Sequence, residues 1–415
     1  MLHIPPALKH RRFFLIWLGL LISVTGSQMQ VAALQWHIRE LTGTPNPLAL
    51  GGIGLARILP VIVFSLISGT VADTLNRRWI MFTTQSIMAL TAAILAYLTL
   101  QGTITIWSIY LLTAVQAGAV AFDLPARQAM IPNLVSRQDL PNAFSMSSIA
   151  FNAGAIFGPA LAGIVIATLG QAYTYWFNAL SFVAVLIALL LIGPVPQDAK
   201  KASGVSIPAM AEGMKFIVSK PLILSTMILD FFATFFASAT TMMPIVARDI
   251  LHVGEIGYGW LVSAESIGSL FAGLIISQIH VIRRQGPTFL WSVVVFGLAT
   301  IVFGLARSFF LVMAALVVMG AADTVSTIIR NTIRQLQTPD HIRGRMTSIN
   351  QIFFQGGPQL GEVEAGLVAQ LFSVPFAIIS GGVGAIVAVW WIARKWPQIR
   401  TYDGNEPQPA AVPAD

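Results

Sequence analysis

The stretch Gly154-Ala-Ile-Phe-Gly158-Pro159-Ala-Leu161 lies in a long apolar segment, and its second part returns about two hundred residues later as Gly357-Pro358-Gln-Leu360. Two acids repeat at a similar interval, Asp123 as Asp323 and Asp139 as Asp340. Self-similarity over such an interval indicates an internal duplication. In a chain that is apolar almost throughout, it predicts two like bundles of transmembrane helices joined in tandem.

The composition excludes several classes of protein. Of the 415 residues, 56% are hydrophobic and only 10% are charged, whereas about a quarter of the residues in a soluble domain are charged. Because the chain has no cysteine and its six histidines include no pair at ligand spacing, we expect no disulfide, metal site or catalytic thiol. It shows neither a P-loop nor clustered acids for magnesium, so we expect no nucleotide-driven pump, no cofactor and no enzyme activity.

Twelve apolar segments are each long enough to cross about 30 Å of hydrocarbon as a helix, which takes about twenty residues. They lie near 13–36, 47–70, 79–100, 104–123, 144–168, 172–193, 222–247, 256–279, 287–306, 309–329, 346–370 and 374–393. The first segment follows a basic start but lacks a small-x-small cleavage site, so we expect an uncleaved helix rather than a signal peptide.

The basic residues predict the orientation of these spans. Twelve spans place both termini on one side, and if that side is the cytoplasm, the inner segments hold 20 of the 24 basic residues. The outer loops keep only Arg39, Arg248 and Arg307, as the positive-inside rule requires. Because the +7 net charge is dispersed between apolar runs, we expect no nucleic-acid partner.

Composition also divides the chain. Residues 194–220 change abruptly to polar and turn-forming composition, which indicates an inner linker between an N-terminal six-helix bundle at 1–193 and a C-terminal one at 221–395. The proline-rich tail at 396–415 is typical of a disordered cytoplasmic segment.

Two motifs carry a resemblance to a known family. The segment Gly69-Thr-Val-Ala-Asp73-Thr-Leu-Asn-Arg77-Arg78 resembles the signature loop of the major facilitator superfamily, G-x-x-x-D-R-x-G-R-R, with Thr74 and Asn76 departing from it. The fifth span resembles the exporter-associated motif G-x-x-x-G-P-x-x-G-G, with Ala162 in place of one glycine. The resemblance implies an all-α membrane protein of twelve transmembrane helices in two pseudo-symmetric six-helix bundles.

Three further stretches resemble one branch of that superfamily, which holds enterobactin-type siderophore exporters and macrolide or multidrug efflux proteins. They are Arg57-Ile-Leu-Pro60, Asp123-Leu-Pro-Ala-Arg127-Gln and Thr338-Pro-Asp340-His-Ile-Arg343-Gly-Arg345-Met. The likeness covers about residues 10 to 395. It implies a multi-pass protein of the bacterial cytoplasmic membrane. Because one chain contains both halves, we expect it to work as a monomer.

The resemblance also implies a latch on the inner side. In related transporters, residues that match Asp73, Arg77 and Asp123 hold that side closed, and Gly69, Arg127 and the repeat residue Asp323 belong to the same predicted set. The alternative is that the arginines only enforce topology and bind lipid headgroups.

A second predicted feature is a face of small residues in spans five and eleven. Gly154 and Gly158 lie one turn apart and Pro159 removes a backbone donor, and Gly357 with Pro358 repeats the pattern. Such a face packs helices closely and permits a bend that lets one bundle rock against the other. The alternative is that it serves packing alone.

Few charged residues lie within the spans, because a charged side chain at mid-membrane raises the free energy of helix insertion by about 2.5–3.5 kcal/mol. They are Arg57, Asp230, Glu265, Glu362 and Glu364. Arg57 and Glu265 occupy similar depths in corresponding helices, so we expect both near a central cavity. Glu362 and Glu364 point about 200° apart on a helix, so one of them faces that cavity squarely, and we prefer Glu362.

These acids are the candidates for proton coupling. Desolvation favours the protonated form of a buried carboxylate and a nearby arginine favours the charged form, so such a group can exchange protons between the two sides. Asp230, Glu265 and Glu362 remain open as the carrier, and the alternative for each is a buried ion pair that fixes helix packing.

The sequence therefore predicts a secondary active transporter that exports a small amphipathic molecule by alternating access and proton antiport. A large anionic siderophore would suit Arg57, whereas a cationic or neutral drug would suit the acids, and both remain open. The alternative is an importer or a lipid-moving transporter of the same fold. Expected partners are membrane lipids, the small-molecule substrate and protons.

Overall fold

Long α-helices dominate the computed structural model, which describes residues 5–195, 207–279 and 282–404. The α-helices are α1 Arg11–Leu41, α2 Pro47–Thr74, α3 Arg77–Leu100, α4 Ile106–Met130, α5 Leu140–Leu169, α6 Gln171–Ile192, α7 Ile207–Ser219, α8 Pro221–Ala237, α9 Met243–Ile245, α10 Gly254–Ser277, α11 Gln285–Leu305, α12 Phe309–Gln337, α13 Asp340–Leu371, α14 Val374–Lys395 and α15 Gln398–Thr401.

Eleven helical segments in the described residues are long and apolar enough to cross a membrane, and each coincides with a predicted span. The twelfth predicted span, 346–370, lies in helix α13, Asp340–Leu371, which is also long enough to cross. Its mean apolarity is lower because it begins with Asp340-His-Ile-Arg343-Gly-Arg345 and later carries Glu362 and Glu364. The interior prolines Pro159 and Pro358 leave α5 and α13 continuous.

The seventh span is a helix that changes type along its length. The α-helix ends at Ala237, a 3₁₀ segment covers Ser238–Met242, one α-helical turn follows, and a π-helix covers Val246–Ile250. Two features of the sequence explain the break. Pro244 cannot donate to the carbonyl four residues before it, and the Ser238 hydroxyl donates to the Thr234 carbonyl at 2.6 Å, competing with the backbone ladder.

The internal duplication appears directly in the helix pairing. In the first half α1 packs on α5 and α6, and α3 packs on α4 and α6. In the second half the corresponding helices pair in the same way, since α8 packs on α13 and α14, and α11 packs on α12 and α14. The repeat read from the Gly-Pro stretches and the paired acids is therefore a repeat of architecture.

By their contacts the residues form two compact units. The first contains residues 1–45, 56–205 and 247–263, and the second contains 46–55, 206–246 and 264–415. This division departs from the predicted halves in two segments, the start of α2 and the region around the start of α10. Both segments carry glycines that allow very close backbone approach, Gly51 and Gly54 in the first and Gly259 in the second, which explains why each groups with the helices it touches.

The structure describes parts of the predicted linker and of the predicted tail. Of the predicted linker 194–220, residues 196–206 lie outside the described residues, and the part after them forms helix α7, Ile207–Ser219. The tail is not disordered from residue 396, because Ile399 and Tyr402 are buried in an apolar cluster with Phe289. These two apolar side chains recur at helical spacing after Pro397, a signal that the proline-rich composition obscured. Residues 405–415 lie outside the described residues.

Candidate functional site

A buried ion pair joins two helices of the second unit. Asp230 on α8 and Arg330 on α12 have side chains exposed by only 3% and 2%, and Arg330 Nη1 lies 2.7 Å from Asp230 Oδ1. Arg330 also donates to Ser326 Oγ at 3.2 Å and lies 3.6 Å from Asp323 Oδ1, whose side chain is 45% exposed. One arginine therefore joins a fully buried acid to a partly open one.

The prediction counted Arg330 among the basic residues of the inner segment after span ten, but the structure places it within a continuous helix. Helix α12 continues to Gln337, eight residues beyond the predicted end of the span, and both Arg330 and Arg334 are buried within it. Arg334 donates to the side-chain oxygens of Asn331 and Asn350. The spacing was the missed signal, because Asp323, Arg330 and Arg334 follow one another at intervals of seven and four and so share one helical face.

Glu265 lies near this cluster. It belongs to α10, its side chain is partly buried, and Asp323 is close enough to act on it electrostatically. Its backbone carbonyl also meets Gly320 of α12 so closely that a Cβ at position 320 would clash. Two of the predicted coupling and latch residues, Asp230 and Asp323, are thus brought together around Arg330, and Glu265 is an electrostatic neighbour of Asp323.

Glu362 and Glu364 lie on α13, and both are partly buried. Glu362 packs against the start of α2, because a Cβ at Gly54 would lie 3.0 Å from Glu362 Cβ and 2.3 Å from the Gln359 carbonyl oxygen. One turn away, a Cβ at Gly51 would lie 2.6 Å from the Glu362 carbonyl oxygen and 3.1 Å from Gly366 Cα. The backbones of α2 and α13 therefore meet directly beside this acid.

The first unit contains the counterpart of the Asp323 position. Asp123 on α4 is buried and accepts hydrogen bonds from Thr84 Oγ1 at 2.9 Å and Gln85 Nε2 at 3.0 Å, both on α3. Arg127, one turn later, lies 3.5 Å from its second carboxylate oxygen. Both copies of the repeated acid therefore have an arginine further along their own helix.

Of the other predicted latch residues, the structure describes the surroundings of Arg77 but not those of Gly69 or Asp73. Arg77 donates to the Ala129 carbonyl at 2.9 Å, at the end of α4. Gly69 and Asp73 belong to α2, but they lie outside the residues whose surroundings the structure describes. The predicted cluster of Asp73 with Arg77 and Asp123 stays a prediction.

Arg57 is partly buried in α2, close enough to Tyr258 of α10 to act on it electrostatically. Tyr258 is fully buried and donates to the Ala32 carbonyl at 2.9 Å. That Arg57 and Glu265 line a common cavity remains a prediction.

The predicted small-residue faces lie against equivalent helices in the two units. A Cβ at Gly158 would lie 2.9 Å from the Thr25 carbonyl oxygen on α1, and one at Gly154 would lie 2.6 Å from a Val24 methyl. In the second unit, a Cβ at Gly357 would lie 2.6 Å from Thr234 Oγ1 on α8. Pro159 and Pro358 adjoin these contacts, and whether the helices bend there during transport stays a prediction.

A bidentate ion pair joins the end of α1 to the π-helical turn. Arg39 Nε donates to Asp249 Oδ2 at 2.7 Å and its Nη2 donates to Oδ1 at 2.5 Å. The side chain of Arg39 is 4% exposed and that of Asp249 25%. The sequence predicts Arg39 only in an outer loop, and nothing in the spacing of residues 39 and 249 indicates their pairing.

We expect Arg39→Gln and Asp249→Asn each to lower the melting temperature of the purified protein, while the double variant loses little more than either single one. Residues in direct contact have coupling energies of about 0.5–3 kcal/mol, and a bidentate, mostly buried pair belongs in the upper part of that range. Arg307→Gln is the matched control, because within the described part of the chain Arg307 donates only to the carbonyls of residues 304–306. If the decreases in melting temperature of the two single variants simply add up in the double variant, the two residues do not interact.

Comparison with known proteins agrees with this architecture. The model of the transmembrane secretion effector family matches residues 5–411. The multidrug efflux pump Tap of Mycolicibacterium fortuitum is 27% identical over 373 residues, covering 87% of this chain and 90% of that protein. The enterobactin exporter EntS of Citrobacter koseri is 24% identical over 408 residues, covering 97% and 96%.

Among solved structures, a bacterial homologue of the human lysosomal transporter Spinster superposes with a TM-score of 0.73 at 13% identity, covering 96% of this chain and 99% of that one. At this identity the likeness shows the fold alone, and it confirms the predicted major facilitator architecture. The chain is therefore a multi-pass membrane transporter and belongs to the transmembrane secretion effector family of the major facilitator superfamily.

Proposed function

We propose that the protein is a secondary active exporter of a small amphipathic molecule, driven by proton antiport. The observation that carries the proposal is the cluster of Asp230, Arg330, Asp323 and Glu265 inside membrane-spanning helices. A charged side chain within the membrane raises the free energy of insertion, and such residues by default indicate an ion or substrate pathway. An exporter uses them to couple inward proton movement to outward substrate movement.

The cluster contains the elements that proton exchange needs. Arg330 is shared between Asp230 and Asp323. A change of charge on one of these acids therefore alters the attraction between Arg330 and the other acid. Glu265 has an acid, Asp323, as its electrostatic neighbour. Protonation of Glu265 therefore changes the electrostatic repulsion between Glu265 and Asp323. We assign the proton to Glu265 and the structural ion pair to Asp230, since Asp230 is fully committed to Arg330.

Export is favoured over import by the fifth-span motif and by the efflux functions named for two relatives of nearly full length. The loop charges support a bacterial inner-membrane location with both termini in the cytoplasm. One chain holds both repeats, which supports function as a monomer. The relatives include both a drug pump and a siderophore exporter, so the proposed substrate class is an amphipathic molecule of either kind.

Replacing Glu265 with glutamine should uncouple transport from protons. Each proton moved inward gains about 2.3 kcal/mol per 100 mV, so loss of one coupled proton lowers the attainable substrate gradient about 50-fold at that potential. The measurement is proton-driven accumulation of a fluorescent drug or a siderophore in inverted vesicles, with substrate counterflow as the uncoupled readout. Counterflow should persist in the variant.

Glu212→Gln is the matched control, because Glu212 is an exposed acid of α7. Unchanged coupling in single variants of Asp230, Glu265, Glu362 and Glu364 would contradict proton antiport through these acids. Uptake in place of extrusion by the native protein would contradict export. A deletion strain that retains a siderophore, or that becomes sensitive to a drug panel, distinguishes the two substrate classes.

A further inference from the structure

Helices α11 and α14 form a groove of about 330 Å³, within the range of small-ligand sites. Its walls are apolar side chains from the first turns of α11 and the last turns of α14. They include Leu290, Trp291 and Val294 on α11, and Trp390 and Ala393 on α14. Trp291 and Trp390 are 67% and 59% exposed. Both lie within about two turns of a helix end, the depth at which tryptophan marks a membrane interface.

One charged side chain lines this groove, Arg400. It lies in the short helix α15, which the chain folds back against the start of α11. Ile399 is fully buried and Tyr402 is 3% exposed, and the Gly286 N–H donates to the Tyr402 carbonyl at 2.9 Å. A Cβ at Gly286 would lie 1.8 Å from the Ile399 carbonyl oxygen, so glycine is required for this approach. The fold therefore holds an arginine at the end of an apolar groove.

The rim of the groove is strongly basic. Arg394 lies 5.2 Å from the Trp390 ring, and Lys395 lies 4.8 Å from the rings of Trp391 and Trp396. Arg283 and Arg284, just before α11, are exposed. Against these bases and Arg400, the described segment 394–404 contributes a single acid, Asp403. An apolar groove within membrane-spanning helices that ends in clustered bases is complementary to one ligand chemistry, an acyl chain with an anionic headgroup.

We propose that this groove binds an anionic phospholipid, with an acyl chain along Trp291 and Trp390 and the phosphate at Arg400 and Arg394. The lipid would bridge α11, α14 and the folded-back α15, and so hold the C-terminal segment on the membrane surface. The site is distinct from the charge cluster around Arg330, and it does not depend on the direction or coupling of transport.

Native mass spectrometry of the full-length protein, delipidated and then titrated with phosphatidylglycerol or phosphatidylcholine, tests the site. The native protein should retain phosphatidylglycerol in preference to phosphatidylcholine. A basic side chain near the surface contributes about 1 kcal/mol to anionic lipid binding, so Arg400→Gln should weaken phosphatidylglycerol retention about fivefold. Ala393→Trp fills the groove without changing charge, and it should reduce retention of the same lipid.

Arg137→Gln is the matched control, because Arg137 is an exposed base on the same predicted side but far from the groove in sequence and in a different unit. Equal losses in Arg137→Gln and Arg400→Gln would mean diffuse electrostatic attraction and would overturn the site. So would full retention in both Arg400→Gln and Ala393→Trp, or displacement of the lipid by inorganic phosphate alone. Melting temperature, measured on each variant, separates loss of the lipid from loss of the fold.

Discussion

Asp230→Asn should lower the free energy of unfolding by about 3–5 kcal/mol, because it leaves Arg330 buried with its nearest counter-charge removed. The side chains of both residues are at most 3% exposed and lie 2.7 Å apart, inside helices that span the membrane. Asp323 compensates only in part, since it lies 3.6 Å away and is 45% exposed. The measurement is equilibrium unfolding of the purified protein in mixed micelles, followed by tryptophan fluorescence.

Asp323→Asn is the matched control and should lose much less stability, because its carboxylate is half open and more distant. The double variant Asp230→Asn with Arg330→Met should recover most of the loss, since it removes both buried charges and keeps the side-chain volume. If Asp230→Asn unfolds like the native protein, or if the double variant is no better than the single one, the ion pair does not contribute to stability as described. Transport by the stable double variant would further show that the Asp230–Arg330 pair is structural.

Gly259→Ala should abolish transport while leaving the helix itself intact. A Cβ at Gly259 would lie 2.6 Å from the Pro159 carbonyl oxygen and 3.1 Å from Gly163 Cα. These are backbone atoms, so no side chain can rotate away to make room. Overpacking of this kind costs about 3 kcal/mol at the upper end of its usual range, which shifts a two-state equilibrium roughly a hundredfold away from the closely packed state.

Gly273→Ala is the control on the same helix, because a Cβ there meets no atom within 4 Å. Alanine is a better helix former than glycine by about 0.5–1 kcal/mol, so this variant should be at least as stable as the native protein. Gly163→Ala should reproduce the Gly259→Ala defect from the opposite helix. The readout is substrate efflux together with labelling of single cysteines placed near the ends of α5 and α10. Normal efflux by Gly259→Ala would contradict the need for this approach.

The glycine contacts also show what the sequence could predict. The repeat of Gly158-Pro159 as Gly357-Pro358 identified the duplication, and the same helix pairings occur in both halves. What the repeat could not supply is the partner of each glycine, because a small residue only permits contact and does not specify with what. Thus Gly158 against α1 and Gly357 against α8 required the three-dimensional arrangement.

The charged residues were predicted with less success for a definite physical reason. A hydropathy window ends a span where charges begin, so it placed Arg330 in an inner segment, although the helix continues to Gln337. The sequence predicts functional roles for Asp230, Glu265 and Asp323. Arg330, which contacts Asp230 and Asp323, was counted only as a topology signal. A pair such as Arg39 and Asp249 joins residues 210 apart, and no local pattern encodes a contact of that separation.

The changes of helix type in the seventh span separate two electrostatic contacts along one stretch of chain. Asp230 lies on the regular α-helix that ends at Ala237, and Asp249 lies on the π-helical turn beyond the break. A continuous α-helix is stiff along its length, whereas a change of hydrogen-bond register is a common position for a hinge or a kink. The break in helix type therefore lies between the Asp230–Arg330 pair and the Arg39–Asp249 pair, so two differently built parts of one span are each fixed by an ion pair of their own.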